Sequence, residues 1–287
     1  MILINVLIIV MLATAILSVM IVGDDTDVEL AIRMNNAAQA RAVAAGGEAS
    51  AIVALRRDLK VGNDSDSYLD DWAAIQDDDA AIDGGRFTFT VADAQARFNI
   101  NNLIRGDTLN RGHFAAILAA VGLPAERVAP IVELVQSRQG IANMTDLTEA
   151  GLSLAELRQL AELATVLPEP TAVNLNTAPE TLAAIVLNNP GKARVLLAER
   201  DVPRRSGGTG ASNGLTREDM VALNIFPPQG TSVTSNYFWT RGLVTIGGDR
   251  QQLTSLLYRR SRDGGPQVLV LKRWRGLAPL EAPDPSL

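Results

Sequence analysis

The sequence predicts an α+β fold: a long N-terminal transmembrane helix packed on a small antiparallel sheet, with a large all-helical domain inserted after the first strand. Three observations carry this. Residues 1–22, MILINVLIIVMLATAILSVMIV, contain no charged side chain. Strand-like alternation occurs in two places far apart, at 86–92 and from 231 onward. The stretch between them, about 98–226, is patterned as short helices separated by Gly, Pro and Asn. Together these make one interrupted sheet domain with a helical block inside it.

The apolar run has the length that spans a bilayer, since a helix crosses the hydrocarbon core with about 20 apolar residues. A cleaved secretory signal would want a basic start and a short apolar middle, yet no Lys or Arg precedes Arg33. A buried core helix fits less well, because Gly23-Asp24-Asp25 brings charge where a membrane interface would lie. From Asp24 to about Leu59 the sequence is Ala-rich. Val28, Ala31, Ile32, Ala38, Ala42, Val43, Ala49, Ile52 and Val53 roughly keep a helical period along one face. Gly46-Gly47 weakens this helix, as glycine costs about 1 kcal/mol relative to Ala in a helix interior. The two stretches form one rod, its lower half in lipid and its upper half on a domain.

Residues 62–85 read as an acidic, turn-rich loop ending in Gly84-Gly85. Phe87, Phe89 and Val91 then alternate with Thr88 and Thr90, the period of a half-buried strand. Helices are expected at 113–121, 125–138, 153–165, 179–187 and 192–200. Pro124 and Pro179 fall where a first turn tolerates proline, and Thr177 stands three residues before Glu180 as in a capping box. Phe98-Asn99-Ile100-Asn101-Asn102 is echoed by Val173-Asn174-Leu175-Asn176-Thr177. Thr145-Asp146-Leu147 and Glu218-Asp219-Met220 follow them in turn, so the block reads as a small tandem domain. Residues 203–214, PRRSGGTGASNG, form a flexible loop by composition. Strands follow at 237–246, 253–258 and 268–271, with turns at Gly247-Gly248-Asp249 and Asp263-Gly264-Gly265. The expected division is a membrane helix at 1–22, a first sheet-domain part at 23–97, the helical insertion at 98–226 and a second sheet-domain part at 227–276. A disordered tail is expected at 277–287.

Chemistry is sparse. There is no cysteine, so neither a disulfide nor a thiolate metal site can form. His113 is the single histidine, reads as a packed or capping residue, and has no second histidine for a zinc set. The glycines at 207–214 lack the Gly-Lys-Ser/Thr ending of a phosphate loop. No catalytic constellation emerges, so the chain is expected not to be an enzyme and to need no cofactor. Calcium is the one ion with candidate ligands: Asp64, Asp66, Asp70 and Asp71, then Asp77, Asp78 and Asp79. Asp64-x-Asp66 opens like an EF-hand loop, but Tyr68 occupies the next ligand position, so a solvated acidic loop is the plainer reading. Charge is segregated: residues 24–96 hold 15 acidic and 6 basic side chains, and residues 231–275 hold 8 basic and 2 acidic. Either these segments pack together and compensate, or the second offers a basic face to a partner. The net charge of -6 argues against nucleic acid as the main partner.

An apolar run that begins at Met1, the segments FNINNL and VNLNTAP, and the ending SNYFWTRGLVTI…LTSLLYRR…QVLVLKRWRG resemble the minor pseudopilin K family of type II secretion. The likeness covers nearly the whole chain. Its most specific feature is the helical insertion, since other pilin-like subunits are much smaller. Most pilin-like subunits carry glutamate at position 5; this chain has Asn5, as K subunits typically lack the glutamate. A carboxylate in lipid is costly unless paired, and a subunit with no neighbour above it needs none. The resemblance implies a pilin-like fold after removal of a leader peptide, and a place at the tip of the periplasmic pseudopilus. It implies a single-pass inner-membrane protein whose bulk is periplasmic. Its implied partners are the minor pseudopilins I and J, other pseudopilins, secreted substrates and the outer-membrane channel. Met1 and Asn5, with Val28, Ile32 and Val43 on the apolar face, are then the assembly contacts. Some family members bind calcium and carry a disulfide, which is impossible here.

The rival reading is a membrane-anchored DNA-binding protein. Asn174-Leu175-Asn176-Thr177-Ala178 and Pro190-Gly191-Lys192-Ala193 resemble a helix-hairpin-helix unit, whose glycine-rich hairpin offers backbone N–H groups to a phosphate. Arg194 stands where the second glycine would be, and the first repeat is expected to lack the hairpin. Residues 98–226 hold 11 basic and 13 acidic side chains, without the surplus that a phosphate binder needs.

Overall fold

The computed structural model describes residues 2–61, 64–202, 214–262 and 265–284, with the side chains of 19–26, 61 and 262 outside the described set. Helix α1 runs without a break from Ile2 to Val61, about 90 Å at 1.5 Å per residue. Its upper half lies on the sheet through Ala40, Ala44, Ala51 and Leu55, all buried. This stripe differs from the expected one. Ala38, Ala42, Ala49 and Val53 are exposed, and Val43 and Ile52 are half-buried. The sheet decides the matter: its inner face carries Phe87 and Phe89, stacked 5.8 Å apart, so the helix meets these rings at Gly47. Ala51 and Leu55 join the cluster around Phe89, and Val53 is exposed.

The same crowding separates the two glycines. A Cβ on Gly47 would stand 2.7 Å from the Phe89 ring, whereas one on Gly46 would meet nothing within 4 Å. Gly46→Ala is expected to stabilise by up to about 1 kcal/mol. Gly47→Ala should instead cost about 1–3 kcal/mol through the forced shift of Phe89. Urea midpoints of the two variants check this; equal midpoints would contradict it.

Strand β1 (Asp77–Ile82) pairs with β2 (Gly85–Asp93) as a hairpin. Asp77, Asp78 and Asp79 therefore lie in an edge strand and not in the acidic loop expected over 62–85. Backbone pairing to β2 holds a segment whose side chains give no strand period. The loop that remains folds inward, burying Trp72 against Phe238 with ring centroids 5.0 Å apart.

Four two-residue strands punctuate the helical part: β3 (Phe98–Asn99), β4 (Ala164–Thr165), β5 (Val173–Asn174) and β6 (Thr231–Ser232). After them come β7 (Tyr237–Ile246), β8 (Asp249–Arg262) and β9 (Gly265–Arg275). The antiparallel sheet has the order β1-β2-β7-β8-β9. Thus β2 is bonded along its length to β7, from Gly85 opposite Ile246 to Asp93 opposite Phe238, and the chain between them forms the helical block.

That block contains α2 (Thr108–Ala120), α3 (Val128–Ser137), α4 (Leu154–Leu160), α5 (Glu180–Val186), α6 (Pro190–Arg200) and α7 (Arg217–Ala222). One core joins them, including Phe114, Leu160, Leu182, Leu196 and Met220. The sequence echo is a structural repeat. Asn101 Nδ2 donates to the carbonyls of Ile141 (3.0 Å) and Leu167 (2.8 Å), and its Oδ1 accepts the Ile141 N–H at 2.9 Å. Asn176 does the same with Leu215 and Val233, at 2.9 and 3.3 Å, and accepts the Leu215 N–H at 3.2 Å. Asn99 and Asn174 each accept the N–H two residues on, at 3.1 and 3.0 Å. Each pair opens with a parallel bridge, β3 to β4 and β5 to β6. Gly214 must be glycine, because a Cβ would lie 2.9 Å from Asn176 Nδ2.

Several expectations need correction. The first repeat does have a hairpin: α2 turns into α3 through Gly122 at φ +76, as α5 turns into α6 through Asn188 at φ +48. Thr177 does not cap α5; its hydroxyl donates to Asp93 Oδ2 at 2.6 Å, and Pro179 is the N-cap. Capping boxes occur instead at Ser153–Glu156 and Thr216–Asp219. The boundary drawn at 226/227 cuts the second repeat, because β6 pairs with β5. The tail from 277 is ordered through Asp284: Glu281 and Ala282 are buried, and Arg241 Nη1 donates to the Pro283 carbonyl at 2.8 Å. Two indole-bearing strands give this tail an apolar bed that its own composition does not announce. Residues 203–213 and 285–287, also expected to be irregular, lie outside the described residues.

Candidate functional site

The lower half of α1 carries exposed apolar side chains that no described residue covers. Ile2, Leu3, Leu7, Met11 and Leu12 are among the exposed residues of its first turns, and Val28, Leu30, Ile32 and Met34 continue the exposure upward. Asn5 lies exposed among them. Thr14 and Ser18 turn their hydroxyls back onto helix carbonyls, Thr14 to Val10 at 3.0 Å and Ser18 to Thr14 at 2.9 Å. These polar groups are thus satisfied inside the helix, which lowers their cost in an apolar setting. Among the described residues no helix is long and apolar enough to cross a membrane. The expected span at 1–22 includes Met1 and the side chains of 19–22, which lie outside the described set.

The expected contacts separate by exposure. Val28 and Ile32 are 60% and 55% exposed. Val43 packs within the chain against the cluster of Ala40, Ala44, Val244 and Ile246. Met1 is outside the described residues.

Above this face, ion pairs and a buried polar knot hold the rod to the body. Glu48 takes Arg273, with Arg273 Nη2 donating at 2.7 Å, and also accepts from the Ser255 hydroxyl. Burial pushes the Glu48 carboxyl up, but these hydrogen bonds and the Arg273 charge outweigh it and leave the group below its ordinary value. Arg259 pairs with Asp58 near the end of α1 and reaches both oxygens of Asp66 at 2.5 Å. Asp66 Oδ2 also accepts the Ser235 N–H at 2.7 Å. The Ser235 hydroxyl in turn donates to Asp93 Oδ2 at 2.6 Å, where Thr177 and Asn174 also donate. Burial raises both Asp66 and Asp93 above the ordinary carboxylate value. The acidic and basic segments of the sequence therefore meet and compensate at these pairs. The knot also ties the sheet to the second repeat, since Asn174 bridges Asp93, Ser235 and the Asp66 carbonyl.

The aspartates named as calcium candidates are dispersed by this arrangement. Asp66 is committed to Arg259, and Asp70 Oδ2 accepts the Ser67 N–H at 2.7 Å. Asp64 and Asp71 are exposed, Asp79 pairs with Arg86, and Asp77 and Asp78 lie beside it on β1. Among the described residues no group of three or more His, Cys, Asp or Glu side chains could hold a metal ion.

No family model matches the chain. The type II secretion system protein K of Pseudomonas aeruginosa is 27% identical to it, covering 96% of this chain and 93% of that protein. The chain resembles protein K along nearly its whole length. In structure it is similar to a chain of the GspK-GspI-GspJ complex of the enterotoxigenic Escherichia coli type 2 secretion system. The TM-score is 0.64 at 20% identity, covering 84% of this chain and 96% of that one. The fold is therefore shared, helical insertion and sheet together.

At the helix-hairpin-helix feature, some of the groups that could face a phosphate have partners within the chain. Asn189 Oδ1 already accepts the Lys192 N–H at 3.0 Å at the start of α6. Arg194 pairs with Glu180 at 3.4 Å, and the Lys192 ammonium lies 5.8 Å from the Phe226 ring centroid. His113 is partly buried on α2, and burial lowers its pKa.

Proposed function

We propose that the chain is a membrane-anchored assembly subunit of a type II secretion pseudopilus. On this reading it sits at the pseudopilus tip, supports export of folded proteins across the outer membrane and catalyses no reaction. The observation that carries this is the long stretch of exposed apolar helix below a body of K-like fold. Such a surface is stable only in lipid or against other apolar helices, where burial contributes about 25 cal/mol per Å². The partners follow from the relative's reported complex: the minor pseudopilins I and J. The apolar end lies in the inner membrane, and the body stands in the periplasm. Val28 and Ile32 meet sister helices, and Asn5 suits a subunit with no neighbour above it to neutralise a carboxylate. Metal is not needed for this role.

The test is size exclusion of the full chain in detergent with the soluble domains of the cognate I and J proteins, and in parallel with a short DNA duplex. A stable three-protein complex without a DNA shift supports the reading. A salt-sensitive DNA shift without a protein complex would overturn it in favour of a DNA-binding protein. Ile32→Asp is expected to lower complex formation by about tenfold or more, as loss of an interface anchor costs above 1 kcal/mol. Its circular dichroism should stay unchanged, because Ile32 touches neither the sheet nor the insertion. Unreduced assembly would remove Ile32 from the interface.

A further inference from the structure

Sheet, insertion and tail do not close completely on one another. A cavity of about 210 Å³ lies where the three meet. Trp239, Lys272 and Trp274 line it from the sheet, Ala142 and Val166 from the insertion, and Glu281 from the tail. Ala142 and Lys272 are exposed and mark its rim, where the Lys272 ammonium donates to the Ala142 carbonyl at 3.1 Å. Deeper in the wall, Trp239 and Glu281 are only 2% and 3% exposed. Trp239 Nε1 donates to no acceptor among the described residues, and Glu281 Oε2 accepts from no donor. Buried polar groups are ordinarily paired, so one cavity with an orphan donor and an orphan acceptor in its wall is unusual.

The wall restricts what could pair them. An occupant must both accept from the indole N–H and donate to the carboxyl oxygen. It must also suit the local charge. The Glu281 carboxyl interacts with Arg97, Lys272 and Asp146, so two cations stand against two acidic groups. An anion would meet Glu281, and a cation would meet Lys272 and Arg97; a neutral molecule meets neither penalty. Burial raises Glu281 above the ordinary carboxylate value. A hydroxyl suits either form, donating to the carboxylate or accepting from the carboxyl. The two indoles, with centroids 5.4 Å apart and planes tilted by 48°, add apolar ring surface. Metabolite pockets run to about 300–1,000 Å³, so this smaller one has room for a single ring.

We propose that this cavity binds one neutral sugar ring, free or at the end of a glycan, with Trp239 Nε1 donating to one hydroxyl and Glu281 Oε2 accepting from another. The half-buried Trp274 packs against the C–H face of the ring. Lys272 and Ala142 form the entrance. The site does not depend on which assembly the chain joins.

The probe is methyl glucoside, titrated into the full chain in a detergent without a sugar headgroup. Tryptophan fluorescence follows it, since two of the three tryptophans line the cavity. Saturation at millimolar glucoside is expected. Methyl glucuronide, which adds one carboxylate, should bind at least about tenfold more weakly, because like charges brought together are costly. The same ring without hydroxyls, 2-methoxytetrahydropyran, should not bind. Glu281→Gln should remove most of the discrimination against the glucuronide, with circular dichroism unchanged. If that variant does not fold, the three ligands on the unaltered chain decide the matter. A glucose tetrasaccharide that binds as well as the glucoside would identify a glycan end as the occupant, and exclusion of it would identify the free sugar. No saturation at tens of millimolar glucoside would mean that the cavity holds ordered water only, and would overturn the proposal. So would equal binding of glucoside and glucuronide to the unaltered protein.

Discussion

Arg259→Met is expected to lower the unfolding free energy by about 3–5 kcal/mol, the usual cost of leaving a buried charge without its partner. Arg259 and Asp66 have side chains only 3% and 1% exposed. Removing the guanidinium takes the buried counter-charge from Asp66 and one partner from Asp58, while methionine keeps most of the volume, so the loss is electrostatic and not a cavity effect. Arg259 also donates to the Ser235 carbonyl at 2.8 Å and lies 4.8 Å from the Phe238 ring centroid. The damage should therefore extend to the junction between the sheet and the second repeat. Burial already raises Asp66 above the ordinary carboxylate value, and protonation would relieve the stranded charge, so the variant's deficit should shrink as the pH is lowered. Denaturant unfolding at two pH values reads both effects. A deficit under about 1 kcal/mol would show that the pair behaves like a surface bridge.

Asn101→Asp should cost about 2–6 kcal/mol, since it leaves the buried carbonyls of Ile141 and Leu167 without the amide donor at roughly 1–3 kcal/mol apiece. Asn176→Asp should cost about 1–3 kcal/mol, because the Val233 carbonyl keeps the Asp66 N–H at 2.8 Å and only the Leu215 carbonyl loses its donor. The substitutions keep size and shape. They replace an amide donor by a carboxylate oxygen facing the carbonyls of Ile141 and Leu167, or of Leu215 and Val233. Both Asn side chains are nearly inaccessible, so ionisation there is opposed by burial and solvent cannot supply the missing donor. Thermal unfolding followed by circular dichroism checks the loss. A shift close to that of a surface Asn→Asp change would mean that the brackets do not hold the repeats.

The structural repeat bears on what could be read from the chain alone. The Asn-x-Asn echo, the Gly and Pro punctuation and the alternation at 87–91 and 237–246 are local patterns, and the elements form where those patterns stand. The uncharged run at 1–22 and the missing cysteines likewise follow from the residues themselves, without reference to any contact. What Asn101 and Asn176 do was hidden, because their partners lie 40 and 39 residues further on. The first hairpin was missed because Gly122 stands alone, where a pair of glycines was expected. Strand β1 was missed because three aspartates mask any period in a strand held by its backbone.

Tertiary structure alone chose the face of α1. An Ala-rich helix carries almost the same small residue on several faces, so its period cannot say which one meets the sheet. The bulk of Phe87 and Phe89 across the contact can. It also turned the acidic and basic segments into specific pairs, Glu48 with Arg273 and Asp66 with Arg259, and seated the tail from 277 on Trp239 and Trp274. Local sequence determined which segments are helix or strand, because the period of side chains along one element is a property of that element. Which surfaces meet depends on shape and charge brought together from distant parts of the chain, and only the folded molecule holds them side by side.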